Sequence, residues 1–288
     1  MQTSKNIAKY TFLLLGSLLL FNSCKKEYES IESIDDAKIQ AYIQENNINA
    51  IKDPSGFYYQ VIEQGTGGPL LNKDSIFYNS TIKSLTGTTY YAPKDFSNDG
   101  NYLGYITPTS YRIALYHINR GGKVRVIMPS YLAFGKNGSG PIPGNEVVTA
   151  DISVYPQTTQ WELDDKVITD FLTAKGLTAT KHPSRVYYNI SQAGTGTTAI
   201  EASSTVTVKY TGRLLTGTVF DKTADGATYE AVLAQQIVSW RKVLIGLTKG
   251  TKLRIFTPSD LSYGPLGRDA IPPNSVLDFD IEIVEVVN

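Results

Sequence analysis

The sequence contains an internal repeat that covers most of its 288 residues. A segment beginning at Asp35 matches a second segment beginning at Asp164, and the same offset of 129 residues recurs along both copies. A repeat of this length is one folding unit, because each copy has the usual size of an independent domain. The repeat therefore predicts two tandem domains, at residues 34–158 and 159–288.

Each copy begins with apolar residues at helical spacing and continues with strand-like sequence. Ile168 and Phe171 fall on one face of a predicted helix of about three turns. Val206 and Val208 alternate with polar residues, as in a strand with one buried face, and a short helix is predicted near residues 237–244. The pattern predicts an antiparallel sheet around one short helix, with an extra N-terminal helix.

The balance of charge argues against a nucleic-acid partner. Lys plus Arg equals Asp plus Glu, at 27 each, so the chain has no excess of positive charge to hold a phosphate backbone. The hydrophobic content of 41% is that of a globular protein, while 24 Gly and 19 Tyr favour strands and turns over an all-helical fold.

The N-terminus resembles a bacterial lipoprotein signal. The apolar stretch Phe12–Phe21 is too short to span a bilayer, and it is followed closely by Cys24, the only cysteine in the chain. Residues 1–23 are predicted to be a signal peptide and residues 24–33 a tether. Acylation of Cys24, including palmitate, would anchor the chain in the cell envelope, most simply at the outer membrane, facing the periplasm or the cell surface.

Three sequence features that suggest catalysis, phosphate binding or metal binding are better explained by structural roles or by chance. Asp164 and Asp165 stand at a helix start, which favours complementing the helix dipole over acid–base catalysis. Gly194-Thr195-Gly196 lacks the residues of a phosphate loop and is interpreted as a hairpin turn. His117 and His182 lie in different copies, so no metal site is predicted.

Four motifs follow one another near the C-terminus, in an order that resembles FKBP-type peptidyl-prolyl cis-trans isomerases. They are V-K-Y-T-G-R-L-L-T-G-T-V-F-D (208–221), S-W (239–240), T-P-S-D-L-S-Y-G (257–264) and A-I-P-P-N-S-V-L-D-F-D-I-E-I (270–283). With the repeat and the lipoprotein signal, the chain resembles a tandem-domain lipoprotein of the Bacteroidota type. The resemblance implies an α+β fold of two tandem FKBP-like domains, each an antiparallel half-barrel sheet wrapped on a short helix.

The resemblance also implies an apolar pocket that isomerises X-Pro bonds and needs no cofactor. The barrier of about 18–20 kcal/mol comes from amide resonance, which an apolar site weakens. In the family, the N–H at Ile237 and the hydroxyl at Tyr263 donate to ligand carbonyls, and Asp221 lies at the rim beside Tyr210. The implied catalytic residues are Tyr210, Phe220, Asp221, Ile237, Trp240, Tyr263, Ile271 and Phe279, with Tyr229 binding substrate.

The first copy is expected to have lost this chemistry. Pro108 replaces Ile237, and proline has no N–H to donate. The counterpart of Tyr210 is either Ser80 or Tyr78, depending on the length of a turn. The other replacements are Tyr90 for Phe220, Tyr91 for Asp221, Tyr111 for Trp240, Phe134 for Tyr263 and Ala150 for Phe279.

Two functions fit the sequence. In the first, the C-terminal domain isomerises proline-containing polypeptide clients that fold outside the cytoplasm. In the second, both copies form a non-catalytic binding lipoprotein, either a holdase or an adhesin. The linker between the copies, Pro156–Glu162, is short, and its Trp161 is expected either to contact the other domain or to pack at the helix start. The sequence does not specify an oligomeric state.

Overall fold

The computed structural model describes residues 29–93 and 96–288. The predicted signal peptide and Cys24 lie outside these residues. Within the described residues the two copies, here called the first and the second repeat, have the same order of elements. The predicted α+β fold of two tandem antiparallel units is confirmed.

The described residues of the first repeat contain two α-helices and seven strands. In chain order they are α1 (Ile31–Glu45), β1 (Ile51–Lys52), β2 (Tyr58–Glu63), β3 (Ser75–Ser84), β4 (Thr89–Tyr91), β5 (Asp99–Tyr102), α2 (Thr109–Leu115), β6 (Lys123–Met128) and β7 (Val148–Val154). Helix α1 begins at Ile31, after the N-cap Ser30, so the folded unit starts before the predicted boundary at residue 34.

The second repeat has the same order of helices and strands. Its elements are α3 (Gln160–Lys175), β8 (Thr180–Lys181), β9 (Tyr187–Gln192), β10 (Thr205–Leu214), β11 (Val219–Lys222), β12 (Tyr229–Val232), α4 (Val238–Val243), β13 (Lys252–Thr257) and β14 (Leu277–Val287). The predicted short helix near residues 237–244 is therefore confirmed as α4.

Both sheets have one topology. The strand order is β1-β2-β6-β7-β3-β4 in the first sheet and β8-β9-β13-β14-β10-β11 in the second, with β5 and β12 pairing additionally with β3 and β10. All of these pairs are antiparallel. The short helices α2 and α4 cover the inner face of each sheet and complete its main apolar core.

The N-terminal helix of each repeat packs on the opposite face of its sheet. In the second repeat, Ile168 and Phe171 of α3 contact Tyr187 and Phe256, whose neighbours Tyr188 and Ile255 belong to the inner core. Successive side chains of a strand point to opposite faces, so this helix lies outside the sheet.

Helix α3 has clear start and stop signals. The side chain of Thr159 accepts from the N–H of Glu162, and the Glu162 carboxylate accepts in return from the Thr159 N–H, which is a complete capping box. Gly176 ends the helix in the left-handed conformation, with φ of 63°. The linker between the repeats is therefore shorter than predicted, because residues 160–162 are already helical.

The two repeats touch through a loop of the first and helix α3 of the second. The ring of Phe96 meets the ring of Phe171 edge to face at 5.2 Å, and the side chains of Asn98 and Gln160 are 3.4 Å apart. Trp161 lies in the first turn of α3, with its side chain 49% exposed.

The prediction of a hairpin at Gly194-Thr195-Gly196 is wrong. The segment connects β9 to β10, which do not pair with each other. Instead, the N–H groups of Thr195 and Gly196 donate to the carbonyl of Lys249, at 2.9 and 3.1 Å. The loop therefore packs on the turn before β13.

Candidate active site

All nine residues predicted for the site line one cavity of about 350 Å³ in the second repeat. It lies between the inner face of the sheet, helix α4 and the loop that follows β13. The predicted residues around it are Tyr210, Phe220, Asp221, Tyr229, Ile237, Trp240, Tyr263, Ile271 and Phe279.

Aromatic rings form the floor and one wall of the cavity in an edge-to-face chain. Trp240 meets Phe279 at 5.7 Å and Tyr210 at 5.5 Å, and Phe279 meets Phe220 at 5.6 Å, with interplanar angles of 81° to 85°. This geometry is favoured by the ring quadrupoles. Trp240 and Phe279 are buried, at 4% and 3% exposed, yet the rings leave the cavity open.

Gly212 makes room for two of these rings, and sequence reasoning missed it. Gly212 pairs with Phe279 across β10 and β14. A Cβ atom at this position would lie 2.6 Å from Cζ of Phe220 and 2.8 Å from Cε1 of Phe279. Any larger residue would therefore displace the rings that line the cavity.

A hydrogen bond joins the wall of the cavity to its rim. The Tyr210 hydroxyl donates to the Asp221 carboxylate at 2.5 Å. Burial, followed by this hydrogen bond to Asp221, raises the pKa of Tyr210 above its ordinary value. Tyr210 therefore remains a neutral donor that holds the exposed carboxylate in place.

Two donors at the cavity have no acceptor within the described part of the chain. The N–H of Ile237, the N-cap residue of α4, makes no hydrogen bond there, and neither does the Tyr263 hydroxyl. Partial burial raises the pKa of Tyr263, which keeps its proton in place. Both groups are available to carbonyl oxygens of a ligand.

The loop before Ile271 supplies a charged rim. The Arg268 guanidinium lies 5.8 Å from the centre of the Tyr263 ring and 3.5 Å from the Asp269 carboxylate. Gln236 and Ala270 complete the lining, and neither was among the predicted site residues.

A larger cavity of about 740 Å³ lies on the other face of the same sheet. Polar and charged side chains such as Lys209, Lys252 and Glu282 predominate in its lining. It is shaped by the outward-facing residues of the strands, so it does not offer the apolar enclosure that the smaller cavity provides.

In the first repeat, the equivalent space is filled from the opposite strand. Ile82 pairs with Ala150 in the same register in which Gly212 pairs with Phe279. Ile82 is 7% exposed and Ala150 is 0% exposed, and both belong to the inner core. The side chain of Ile82 thus takes the volume that aromatic rings occupy in the second repeat.

The mouth of the first repeat is also occupied. A Cβ atom at Gly140 would lie 2.6 Å from the Tyr91 hydroxyl, so Tyr91 reaches across to the loop at the position equivalent to Asp269. The register also settles an open alternative: Ser80 pairs with Ile152 as Tyr210 pairs with Ile281, so Ser80 is the counterpart of Tyr210.

Below the mouth, two tyrosine side chains of the first repeat are largely buried. Burial raises the pKa of Tyr78 to about 12 and raises the pKa of Tyr111 further. The Tyr111 hydroxyl has no hydrogen-bond partner among the described residues. Tyr111 and Trp240 are both 4% exposed, so the counterpart of Trp240 is buried to the same extent.

The described residues contain neither a metal-binding cluster nor a membrane-spanning helix. No group of three or more His, Cys, Asp or Glu side chains there could hold a metal ion. No helix within residues 29–93 and 96–288 has the length and hydropathy needed to cross a bilayer.

The second repeat matches the family model described as FKBP-type peptidyl-prolyl cis-trans isomerase, over residues 196–284. A probable FKBP-type peptidyl-prolyl cis-trans isomerase of Haemophilus influenzae is 39% identical over 127 residues, which cover 43% of this chain and 52% of the relative. The outer membrane protein MIP of Legionella longbeachae is 41% identical over 108 residues, covering 36% of this chain and 45% of the relative.

Among solved structures, a peptidyl-prolyl cis-trans isomerase of Pseudomonas syringae is 28% identical, with a TM-score of 0.39, and the match covers 44% of this chain and 96% of that one. The chain spans about half the length of the curated relatives it matches. The motifs, the pocket they build and the family match coincide in one unit, so the second repeat is an FKBP-type peptidyl-prolyl isomerase domain.

Proposed function

We propose that this protein catalyses cis–trans isomerisation of X-Pro bonds in polypeptides that fold outside the cytoplasm, and that its active site is the cavity of the second repeat. The observation that carries the proposal is an open aromatic cavity with two unused hydrogen-bond donors, Ile237 N–H and the Tyr263 hydroxyl.

The cavity suits this reaction because the barrier is electronic. Amide resonance places double-bond character in the C–N bond and negative charge on the carbonyl oxygen. Transfer from water to a site walled by Trp240, Phe279 and Ile271 disfavours the charge-separated form, and therefore favours rotation. The two donors hold the peptide through its carbonyls while the bond turns.

The experiment compares matched variants of the full chain in an X-Pro tetrapeptide isomerisation assay. Trp240→Leu removes the floor, and Asp221→Leu leaves the Tyr210 hydroxyl without its acceptor. Each should lower kcat/KM by about 100-fold, the scale of a misplaced reacting group. Tyr111→Leu, the same kind of truncation in the first repeat, should leave kcat/KM unchanged. Wild-type protein without activity would overturn the proposal.

The place of action is the cell envelope in this proposal. The similarity to a protein named outer membrane protein MIP and the N-terminal lipoprotein signal both support it. Acylation of Cys24 would hold the chain at the outer membrane. In a Cys24→Ser variant the protein should move to the soluble fraction, and an unchanged membrane fraction would contradict the anchor.

A binding role for the first repeat is a second candidate. Its surface exposes Tyr102, Tyr105 and Tyr116 at 54%, 74% and 43%. The equivalent positions of the second repeat are Val232, Gln235 and Ile245. A triple Ala variant of the tyrosines should then suppress aggregation of an unfolded client less well than wild type, with isomerase activity retained. Unchanged suppression would contradict this role.

A further inference from the structure

The second repeat buries one carboxylate that the proposed reaction does not use. Asp164 of α3 is 1% exposed. It accepts from the N–H of Ser259 at 2.7 Å, from the Ser259 hydroxyl at 2.6 Å and from Gln160 Nε2 at 2.7 Å. These hydrogen bonds offset the cost of burial, which by itself raises the pKa of Asp164. The expected role of this residue in complementing the helix dipole is therefore not its main one.

Ser259 begins the turn that leads to the active-site tyrosine. The turn Ser259–Leu261 is closed by the N–H of Leu261 donating to the carbonyl of Pro258 at 3.1 Å. The hydroxyl of Ser262 then donates back to the carbonyl of Ser259 at 3.0 Å. Tyr263 follows directly, so the position of its ring depends on where Ser259 is held.

The first repeat contains the same contact between a carboxylate and a serine, but it has Phe134, without a hydroxyl, at the position of Tyr263. Asp35 is 0% exposed and accepts from the N–H and the hydroxyl of Ser130 at 2.9 and 2.6 Å. The turn after Ser130 leads to Phe134. The contact is thus part of the fold, but only in the second repeat does it hold a group that can donate to a ligand.

We propose that Asp164 is a positioning residue for the pocket: by holding Ser259 it fixes the turn from which the Tyr263 hydroxyl reaches the ligand. This inference rests on the proposed function, because the hydroxyl matters only if the cavity binds a prolyl peptide. Asp164 does not touch the substrate, and its effect passes through Tyr263.

The test is a double-mutant cycle in the full chain. Asp164→Asn keeps the size of the side chain but loses the charge and one good acceptor. It should lower kcat/KM on an X-Pro tetrapeptide by about tenfold, as Tyr263→Phe should, since modest misplacement has an effect of this scale. The double variant should be no slower than either single variant, because both changes remove the same interaction.

Asp35→Asn is the matched control, because it breaks the same contact where no hydroxyl is held. It should leave kcat/KM unchanged. The proposal is overturned if folded Asp164→Asn retains full activity, or if its loss multiplies fully with that of Tyr263→Phe. If Asp164→Asn does not fold, as judged by near-UV circular dichroism, Ser259→Ala takes its place in the cycle, since it removes only the hydroxyl donor.

A second measurement does not depend on activity. Amide hydrogen exchange should accelerate at residues 259–263 in Asp164→Asn and at residues 130–134 in Asp35→Asn. Unchanged exchange at residues 259–263 would overturn the inference. Wild-type protein without isomerase activity, but with this exchange pattern in the variants, would instead contradict the proposed function and leave the turn-holding role of Asp164 supported.

Discussion

The two repeats have the same backbone topology and differ in the side chains that pack on the inner face of the sheet. Both sheets have the same strand order, and the pairs Gly212–Phe279 and Ile82–Ala150 occupy one register. In the second repeat the large side chain comes from β14 and leaves a cavity beside it. In the first repeat the large side chain, Ile82, comes from β3 and packs where the second repeat has the phenyl ring. The comparison leads us to expect that this one pair decides whether a pocket is open beside the sheet.

The role of Gly212 in this pair can be tested most directly with the variant Gly212→Ile. The new side chain overlaps the rings of Phe220 and Phe279, so kcat/KM on an X-Pro tetrapeptide should fall by about 100-fold or more. Overpacking should also destabilise the domain by about 1–3 kcal/mol, measured by urea unfolding.

The double variant Gly212→Ile/Phe279→Ala copies the pair of the first repeat. It should recover much of the stability but none of the activity. If it regained activity, the comparison between the two pairs would not explain the loss of the pocket.

The second difference is the donor at the start of the short helix. The φ of Ile237 is −54°, within the range that the proline ring allows, so proline fits the backbone at residue 237. Ile237→Pro should raise KM by about fivefold, because one ligand hydrogen bond of about 1 kcal/mol is lost. Ile237→Ala is the control, since it trims the side chain and keeps the N–H. Equal effects of the two variants would show that the N–H is not used.

The dependence on pH should be weak if the hydroxyls act as neutral donors. The pKa values of Tyr210 and Tyr263 are both raised by burial, so neither hydroxyl loses its proton near neutrality. We therefore expect kcat/KM to change by less than about twofold between about pH 6 and 9, where unperturbed tyrosine is also protonated. An apparent pKa within this range would indicate that another group controls the reaction.

The smallest effect is expected from restoring one polar residue to the first repeat. Tyr91→Asp places a carboxylate at the position of Asp221, but Ile82 still occupies the space beneath. In a Trp240→Leu background, the tetrapeptide assay should detect no gain of activity. A measurable gain would mean that Tyr91 alone keeps the first repeat closed.

Much of the fold could be predicted because it depends on local patterns. The offset of 129 residues and the alternation of Val206 and Val208 are visible in the sequence and specify repeated, half-buried strands. All nine predicted site residues line the cavity. Seven of them lie within the four C-terminal motifs, and Tyr229 and Ile237 lie between those motifs.

The errors concern contacts between distant residues. The dipole interpretation of Asp164 used only its place in a helix, whereas its burial depends on Ser259, 95 residues away. Both the aspartate and the serine recur at the offset of 129 residues, as Asp35 and Ser130, and this shared pair of polar residues is the signal that the sequence contains. Gly212 was missed for a similar reason, because its importance is visible only once its cross-strand partner Phe279 is known.

The register shared by Gly212–Phe279 and Ile82–Ala150 makes loss of a pocket easier than its recovery. Replacing Phe279 first leaves a void that a later, larger residue at position 212 can occupy, and neither step alters the backbone ladder. In the reverse direction, a phenyl ring introduced at Ala150 collides with Ile82 unless both change together. A duplicated domain of this kind can therefore lose its ligand-binding pocket in single steps. Regaining the pocket requires two substitutions at once.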